Sequence, residues 1–483
     1  MVKLCRNRLA KLYTAFVAIT TFLIATDLIQ FSASPFVFKI GKQDQFLGQL
    51  QINLKHLKQD EESKSVPIFV KMQDARVYIF SAIITYNEIT EKEIRGRKNT
   101  GITYVGPTAI LSGWELNKYS SSNFTCCFKL KDGTIVSELS WSKTDWLYLG
   151  KSKLQAKQFK CPINVEVSDI KTISIAIKNS TCPNQDKYFL PPTIVKRQTK
   201  SQTKNSTKIA VCVKLAYGSL DARRLIEWFE VHRLFGVEKV IAYTYHLNSK
   251  ASKVLDFYEN SGLAEIYDYD IPEKGIIARD VGVKNMQSWN DEQIALFDCQ
   301  ERLRNYDYVA VVDTDEFIIP VTKRFTNAWK IFMDKKFSKS NIAGLLFSVR
   351  VHAGTWGPTN VNHPLHIGRY NNCTLPMYDR VKGVYMPSRV QQGSVSTHLF
   401  RPLSGYRRTS ARAQEVTMHH FRSCRKEWLR PSTSDTYKKH TYLYSKKNTT
   451  KCFDLIRTPS KIMEQLADTV KDRVIMRAEE IGV

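Results

Sequence analysis

Tyr308-Val-Ala-Val-Val-Asp-Thr-Asp-Glu-Phe317 decides the fold. Five apolar or aromatic residues run without a break into the acids Asp313, Asp315 and Glu316. A short apolar run rich in valine reads as a strand buried on both faces. Working outward, Ile209-Ala-Val-Cys-Val-Lys-Leu215 is a strand of the same kind. Leu220–Phe235 has helical spacing, with Leu225, Trp228, Phe229 and His232 on one face, and Gly236 stops it. Val240–Tyr245 is the next strand, Ala251–Ser261 a helix stopped by Gly262, and Ala264–Tyr269 a third strand. Asp291–Asn305 reads as a helix leading into the Tyr308 strand, and Ala343–Val349 as a further strand. This alternation predicts an α/β class with a mainly parallel central sheet and crossover helices.

In such sheets ligands bind beyond the carboxyl ends of the strands. Asp313 and Asp315 leave the sheet two residues apart, so both can face one site. Hard carboxylate oxygens suit magnesium or manganese better than zinc. A metal held there could bind a diphosphate and neutralise the charge growing on a departing phosphate. Downstream, 350–424 reads as loop-rich and carries Met418-His-His-Phe-Arg422, a candidate third ligand and phosphate contact. Ile462, Leu466, Val470 and Val474 recur every four residues and predict a C-terminal amphipathic helix over 461–483.

The chain has 483 residues and a net charge of +26, which calls for an anionic partner such as nucleic acid, a membrane surface or phosphate-bearing small molecules. Its start narrows the choice. Lys3, Arg6, Arg8 and Lys11 precede the uncharged stretch Leu12–Thr26, and Leu28, Ile29 and Phe31 continue it beyond Asp27. We read 1–11 as a cytosolic tail and 12–31 as an uncleaved signal-anchor transmembrane helix, which places the rest in the lumen. A cleaved signal peptide fits less well, because cutting near Ser34 meets Pro35 or the bulky Phe31. Sequons at Asn123, Asn179, Asn205, Asn372 and Asn448 agree with a luminal surface.

Of the 10 cysteines, only Cys5 lies before the span. An odd luminal number remains, so at least one thiol is free or pairs between chains, which would suit a homodimer. Cys126, Cys127, Cys161 and Cys182 could pair among themselves in disulfides, whereas Cys212 reads as a buried free thiol. Residues 32–74 form a stem. Residues 75–192 form a β-rich domain, with strands at Val77–Tyr86, Thr103–Leu111, Phe124–Leu130, Thr134–Leu139, Ile163–Val167 and Ile173–Ile177. A basic linker over 193–207 leads to the α/β part, 208–460. The basic residues are spread over tail, linker and surface. No helix-turn-helix, zinc finger or RNA-binding aromatic signature occurs, so nucleic acid is not the expected partner.

Val211–Leu215, Leu225-Ile-Glu-Trp-Phe-Glu-Val-His232, Leu234-Phe-Gly-Val237, the Asp298-Cys299 pair, Tyr308–Pro320 and His420-Phe-Arg422 together resemble glycosyltransferase family 92. The resemblance spans about 208–424. It implies a GT-A-like nucleotide-sugar-binding domain in a single-pass type II Golgi membrane glycoprotein; many members come from nematodes. It also implies a manganese-dependent inverting hexosyltransferase, a β-galactosyltransferase, that uses a UDP-sugar and builds on glycans, including fucosylated N-glycans. Asp313, Asp315 and His420 would then hold the metal. Lys214, Glu227, Glu230, Asp313, Asp315 and Arg422 would surround the donor. Lys214 departs from the proline usual in such a segment. An inverting transfer needs a carboxylate base, and the candidate catalytic carboxylates are Glu316 beside the pair and Asp379 or Glu415 beyond it. Trp356, between Gly354 and Gly357, could stack on an acceptor sugar. The rival reading is a catalytically inactive luminal protein of the same fold that binds glycans or nucleotide sugars.

Overall fold

Nine strands of the C-terminal part form one sheet, and its order explains where the acids lie. β9 (Ile209–Gly218), β10 (Lys239–Leu247), β11 (Ala264–Asp268) and β12 (Tyr308–Val311) are its parallel half, in the order β11-β10-β9-β12. β16 (Met377–Tyr385), β14 (Ile342–Ala353), β18 (Val416–Arg422) and β13 (Glu316–Pro320) follow β12 in that order, and β17 (Arg407–Ser410) pairs with β14. β16 and β13 run against the other strands, so the parallel pattern expected from the sequence gives way to a mixed sheet beyond β12. Helices α1 (Ala222–Leu234) and α2 (Ser249–Asn260) make the crossovers. α3 (Glu292–Arg302), α4 (Ala328–Phe337), the single turn α5 (His366–Arg369) and the long α6 (Lys461–Ile481) complete the set. Asp221 starts α1 by accepting from the Arg224 amide, which satisfies one of the donors a helix N-terminus leaves open. Met463, Leu466, Ala467, Val470 and Val474 of α6 are buried in the same core as Trp228 and Phe229 of α1.

The structure is a computed structural model that describes residues 68–73, 77–88, 105–116, 124–144, 154–195, 207–270, 272, 292–338, 340–423 and 457–483. The expected tail and membrane span, most of the stem and linker, and Asn123, Asn205 and Asn448 lie outside the described residues. Among the described residues, no helix is long and apolar enough to cross a membrane.

The N-terminal part is a sheet that folds over on itself. β1 (Val70–Lys71), β2 (Val77–Glu88), β3 (Val105–Leu116), β6 (Leu154–Pro162), β5 (Ile135–Thr144), β4 (Phe124–Leu130) and β7 (Ile170–Ile177) follow one another, and β8 (Thr193–Ile194) adds to β2. β5 pairs with β4 up to Ser140 and with β6 from Trp141 onward, so the sheet turns there. The two halves close over Ile79, Ile84, Leu111, Phe124, Phe128 and Phe159. Disulfides Cys126–Cys161 and Cys127–Cys182 staple it. The strand expected at Ile163–Val167 lies earlier, at Leu154–Pro162. Its alternation is hidden because Lys157 and Gln158 are both fully buried, Lys157 against Glu115.

These two parts share a core. Tyr78, Trp114, Leu154 and Ala156 of the folded-over sheet pack in one cluster with Ala210, Cys212, Tyr243, Ile294 and Phe297 of the α/β part. Removing each large side chain from water stabilises such a junction by about 1.5–3 kcal/mol. Gln158 donates to the Phe297 carbonyl at 3.5 Å, and a side chain at Gly393 would collide with it. Pro67–Val483 accordingly forms one compact unit. Cys212 is not a free thiol: it is bonded to Cys299 and ties β9 to α3. Cys373, buried in β15 (Asn372–Thr374), is the free cysteine among the described residues. β15 pairs with β19 (Arg457–Pro459). Residues 350–424 are less loop-like than their composition suggests, because β16 and β18 bury lysine and histidine among their apolar residues.

Candidate active site

The acidic turn sits at the carboxyl end of β12, before β13. It is held from both sides. The Glu316 amide donates to the Asp313 carbonyl at 3.1 Å, and the Asp313 amide donates to the Glu316 carboxylate at 2.9 Å. The indole N–H of Trp228 donates to the carbonyls of Asp313 and Glu316 at 3.0 and 3.1 Å. The Phe421 amide donates to the Asp315 carbonyl at 2.9 Å. Antiparallel pairing places Glu316 opposite His420, so β18 delivers its imidazole to the turn.

His420 lies between two carboxylates, with Nε2 3.3 Å from Asp315 and Nδ1 3.5 Å from Glu316. One ligand atom from each of Asp315, Glu316 and His420 falls within 4.8 Å of the others, a set that could hold a metal ion. The site has two tiers. Asp313 and Asp315 keep side-chain exposures of 30% and 35%, whereas Glu316 and Lys382 are each 1% exposed beneath them.

Lysine dominates the lower tier. Lys382 Nζ lies 2.9 Å from both Asp313 and Glu316. Lys214 reaches Asp313 at 3.5 Å and Glu292, at the start of α3, at 2.6 Å. The Thr397 hydroxyl donates to the same Glu292 oxygen. Burial works to raise the Asp313 carboxyl, but the charges of Lys382 and then Lys214 outweigh it and hold it well below the usual range. Burial wins at Glu316, which is pushed up despite Lys382, with the Asp313 charge adding to the push. Burial disfavours the charged imidazole of His420, yet Asp315 and Glu316 together raise it. Nearby His398 is pushed down to about 4 by burial and by the Lys382 charge.

The described site residues fall into two groups. Asp313, Asp315, Glu316, His420 and Lys214 come together. Arg422 ends the strand that carries His420, and burial lowers its pKa. Glu227 and Glu230 do not face this site, which corrects their expected donor role. Glu227 accepts from the His366 and Ile367 amides at 2.6 and 3.1 Å, capping α5. Glu230 accepts from the Tyr258 hydroxyl at 2.9 Å, between α1 and α2. Glu415 is also corrected. It precedes β18 at the far end from His420, about 17 Å away at the rise of a strand, and pairs with Lys336 at 2.7 Å. Asp379 lies on an irregular stretch of β16, where the register against β14 jumps and Arg380 adopts φ 51°; its side chain lies outside the described residues. Trp356 follows β14 in a short helical turn, and the Arg457 guanidinium lies over its ring at 5.6 Å. Asn179 is exposed in a turn after β7. Asn372, by contrast, sits in β15, and the Thr374 hydroxyl of its sequon is buried and accepts from the Val351 amide. Sequence reasoning missed Lys382, Glu292 and Trp228 as parts of the site. For Trp228 the helical spacing pointed only to the core, and a lone lysine in a mixed segment gives no signal.

Residues 207–466 match the family model described as glycosyltransferase family 92, over half of the chain. The chain belongs to glycosyltransferase family 92. The family segment begins just before β9 and ends within α6, so the folded-over N-terminal sheet lies outside it. A curated relative is beta-1,4-galactosyltransferase galt-1 of Caenorhabditis elegans, 25% identical over 294 residues, which are 58% of this chain and 64% of the relative. The chain thus spans slightly less than two thirds of that relative's length. Among solved structures, TarS residues 1–349 of S. aureus matches with a TM-score of 0.26 and 10% identity, over 49% of this chain and 68% of the other. Glucosyl-3-phosphoglycerate synthase from Mycobacterium tuberculosis, in complex with Mn2+, UDP and glucosyl-3-phosphoglycerate, matches with a TM-score of 0.21 and 13% identity, over 40% of this chain and 64% of the other. TM-scores this low establish no shared fold.

Proposed function

We propose that this family-92 chain is a metal-dependent, inverting β-galactosyltransferase with a GT-A-like catalytic part. In this reading it moves galactose from UDP-galactose to a glycan acceptor, such as a fucosylated N-glycan. The observation that carries the proposal is the convergence of Asp315, Glu316 and His420 at the carboxyl end of β12, within the family segment. Carboxylate oxygens suit manganese, and His420 adds a nitrogen beside them. Bound manganese would supply neutralisation of the charge on the leaving diphosphate. Asp315 and His420 are the residues to hold it, whereas the Asp313 carboxylate at the same exposed rim is engaged by Lys382 and Lys214. Arg422 and Lys214 add positive charge for the diphosphate. Asp379, on the irregular part of β16, is the carboxylate we assign to take the acceptor hydroxyl proton. The name of the C. elegans relative supports galactose. The basic start and apolar stretch at 12–31 support a type II Golgi anchor with the catalytic part luminal.

The test is a screen of UDP-sugars with fucosides and galactosides as acceptors, with and without manganese. Transfer is expected with UDP-galactose and manganese, and Asp315→Asn should abolish it while leaving the unfolding transition in place. Wild-type turnover by that variant would remove the metal assignment. One feature favours the second reading, an inactive binding protein: two lysines occupy the Asp313 carboxylate. Manganese-dependent UDP-sugar binding without any transfer would establish it.

A further inference from the structure

Glu316 and Lys382 are buried in the site beneath Asp313 and Asp315. Glu316 is grouped with Asp315 and His420 by distance, yet its surroundings are those of a side chain already in use. One carboxylate oxygen, Oε2, accepts from the Asp313 amide at 2.9 Å and meets Lys382 Nζ at 2.9 Å. The other, Oε1, faces His420 Nδ1 at 3.5 Å. The opposite ring nitrogen, Nε2, points to Asp315, whose side chain remains 35% exposed. An imidazole gives a metal one nitrogen, and a carboxylate on the other nitrogen fixes which one it is.

We propose that Glu316 is a positioning residue rather than a metal ligand, holding His420 by its Nδ1 side so that Nε2 faces the metal, and that Lys382 keeps Glu316 out of the coordination sphere. The proposal rests on the metal-site reading above. Lys382 suits the role by charge and place. It lies on β16, a different strand from the carboxylates it holds, and is fully buried. It pins Asp313 and Glu316 at equal distances, so it spaces the two carboxylates from below. A buried lysine freed of both partners would be costly, which keeps the three groups together.

The full-length chain is titrated with Co2+ alone, followed by its visible d–d absorption, and with Mn2+ alone, followed by the loss of free-ion EPR signal. Thermal melts check that each variant is folded. Asp315→Asn and His420→Ala should lose the wild-type bands and weaken metal binding beyond the roughly 10–100-fold that an outer partner costs. Glu316→Gln should keep the wild-type band positions and weaken binding by about 10–100-fold, the usual effect of losing an outer partner. Lys382→Arg keeps a cation and should retain the wild-type spectrum. Lys382→Met frees Glu316 to join the metal and should shift the bands, and the double variant with Glu316→Gln should restore them. Loss of the wild-type bands in Glu316→Gln, matching Asp315→Asn, would make Glu316 a ligand and overturn the proposal. So would an unchanged spectrum in folded Lys382→Met. Absence of metal binding by the wild-type chain would overturn the metal reading itself, and this proposal with it.

Discussion

Trp228 offers a sharp test of whether the acidic turn must be held in place to work. Its side chain is fully buried, and its indole N–H is shared between the Asp313 and Glu316 carbonyls at 3.0 and 3.1 Å. Trp228→Phe keeps an aromatic ring in the core but removes the donor. The Asp313 carbonyl still accepts from the Glu316 amide, so only part of its bonding is lost. A buried acceptor left short costs about 1–3 kcal/mol, and the smaller ring leaves a void worth about 1 kcal/mol more. Trp329 is the matched control. It is equally buried, and its indole donates to the Ile318 carbonyl at 2.6 Å, within β13 but past the turn. Urea unfolding of Trp228→Phe and Trp329→Phe should therefore show similar losses, about 2–4 kcal/mol each. Manganese-dependent transfer should separate them. Only Trp228→Phe loosens Asp313 and Asp315, and small misplacements of reacting groups cost up to about 100-fold in rate. Equal loss of transfer in the two variants, or full transfer by Trp228→Phe, would refute the reasoning.

Other outcomes follow from the same geometry. Glu415→Gln should leave transfer unchanged and stability within about 1 kcal/mol, since it breaks only a part-exposed pair with Lys336; a large rate loss would return Glu415 to the site. Burial pushes the Glu227 carboxyl up from 4.5 to about 7, against the two amides it accepts. The folded chain then holds this proton more tightly than the unfolded chain, so the stability it contributes is present at low pH and is lost as pH rises through that window. Measured against Glu227→Gln by denaturation between pH 4.5 and 8, the loss should reach about 3 kcal/mol, and a flat difference would contradict it. Cys212→Ala should cost about 2–4 kcal/mol by opening the link between β9 and α3; an unchanged unfolding midpoint under non-reducing conditions would show that the bond contributes nothing.

Parts of the molecule whose chemistry is local were legible in the sequence. Gly236 and Gly262 closed α1 and α2 where expected, and both adopt the positive φ that such stops need. The apolar run before Asp313 forms β12, and the acids emerge where a parallel sheet places ligands. Groups that meet across the fold were not legible. Lys382 reaches Asp313 from 69 residues away, and Glu292 reaches Lys214 across 78. Glu227 looked like a donor-facing acid because its helix flanks the first strand, but it caps a turn 139 residues later. β6 escaped notice because both of its faces are buried, with Gln158 turned toward the junction and Lys157 toward the core of the N-terminal sheet, so burial there did not look apolar.

That junction bears on how the chain can change. α3 has Ile294 and Phe297 in the shared core with Tyr78 and Trp114, and its first residue, Glu292, holds Lys214 against the site. Drift in the N-terminal sheet is therefore not neutral, even though that sheet lies outside the family segment. A larger residue at Ala156 would push on α3, a smaller one at Trp114 would leave a void against it, and either change would be felt at Asp313. Relatives that pair a different N-terminal module with this catalytic sheet should have altered α3 to match. Exchanging modules between such relatives without α3 should yield chains that fold but transfer slowly.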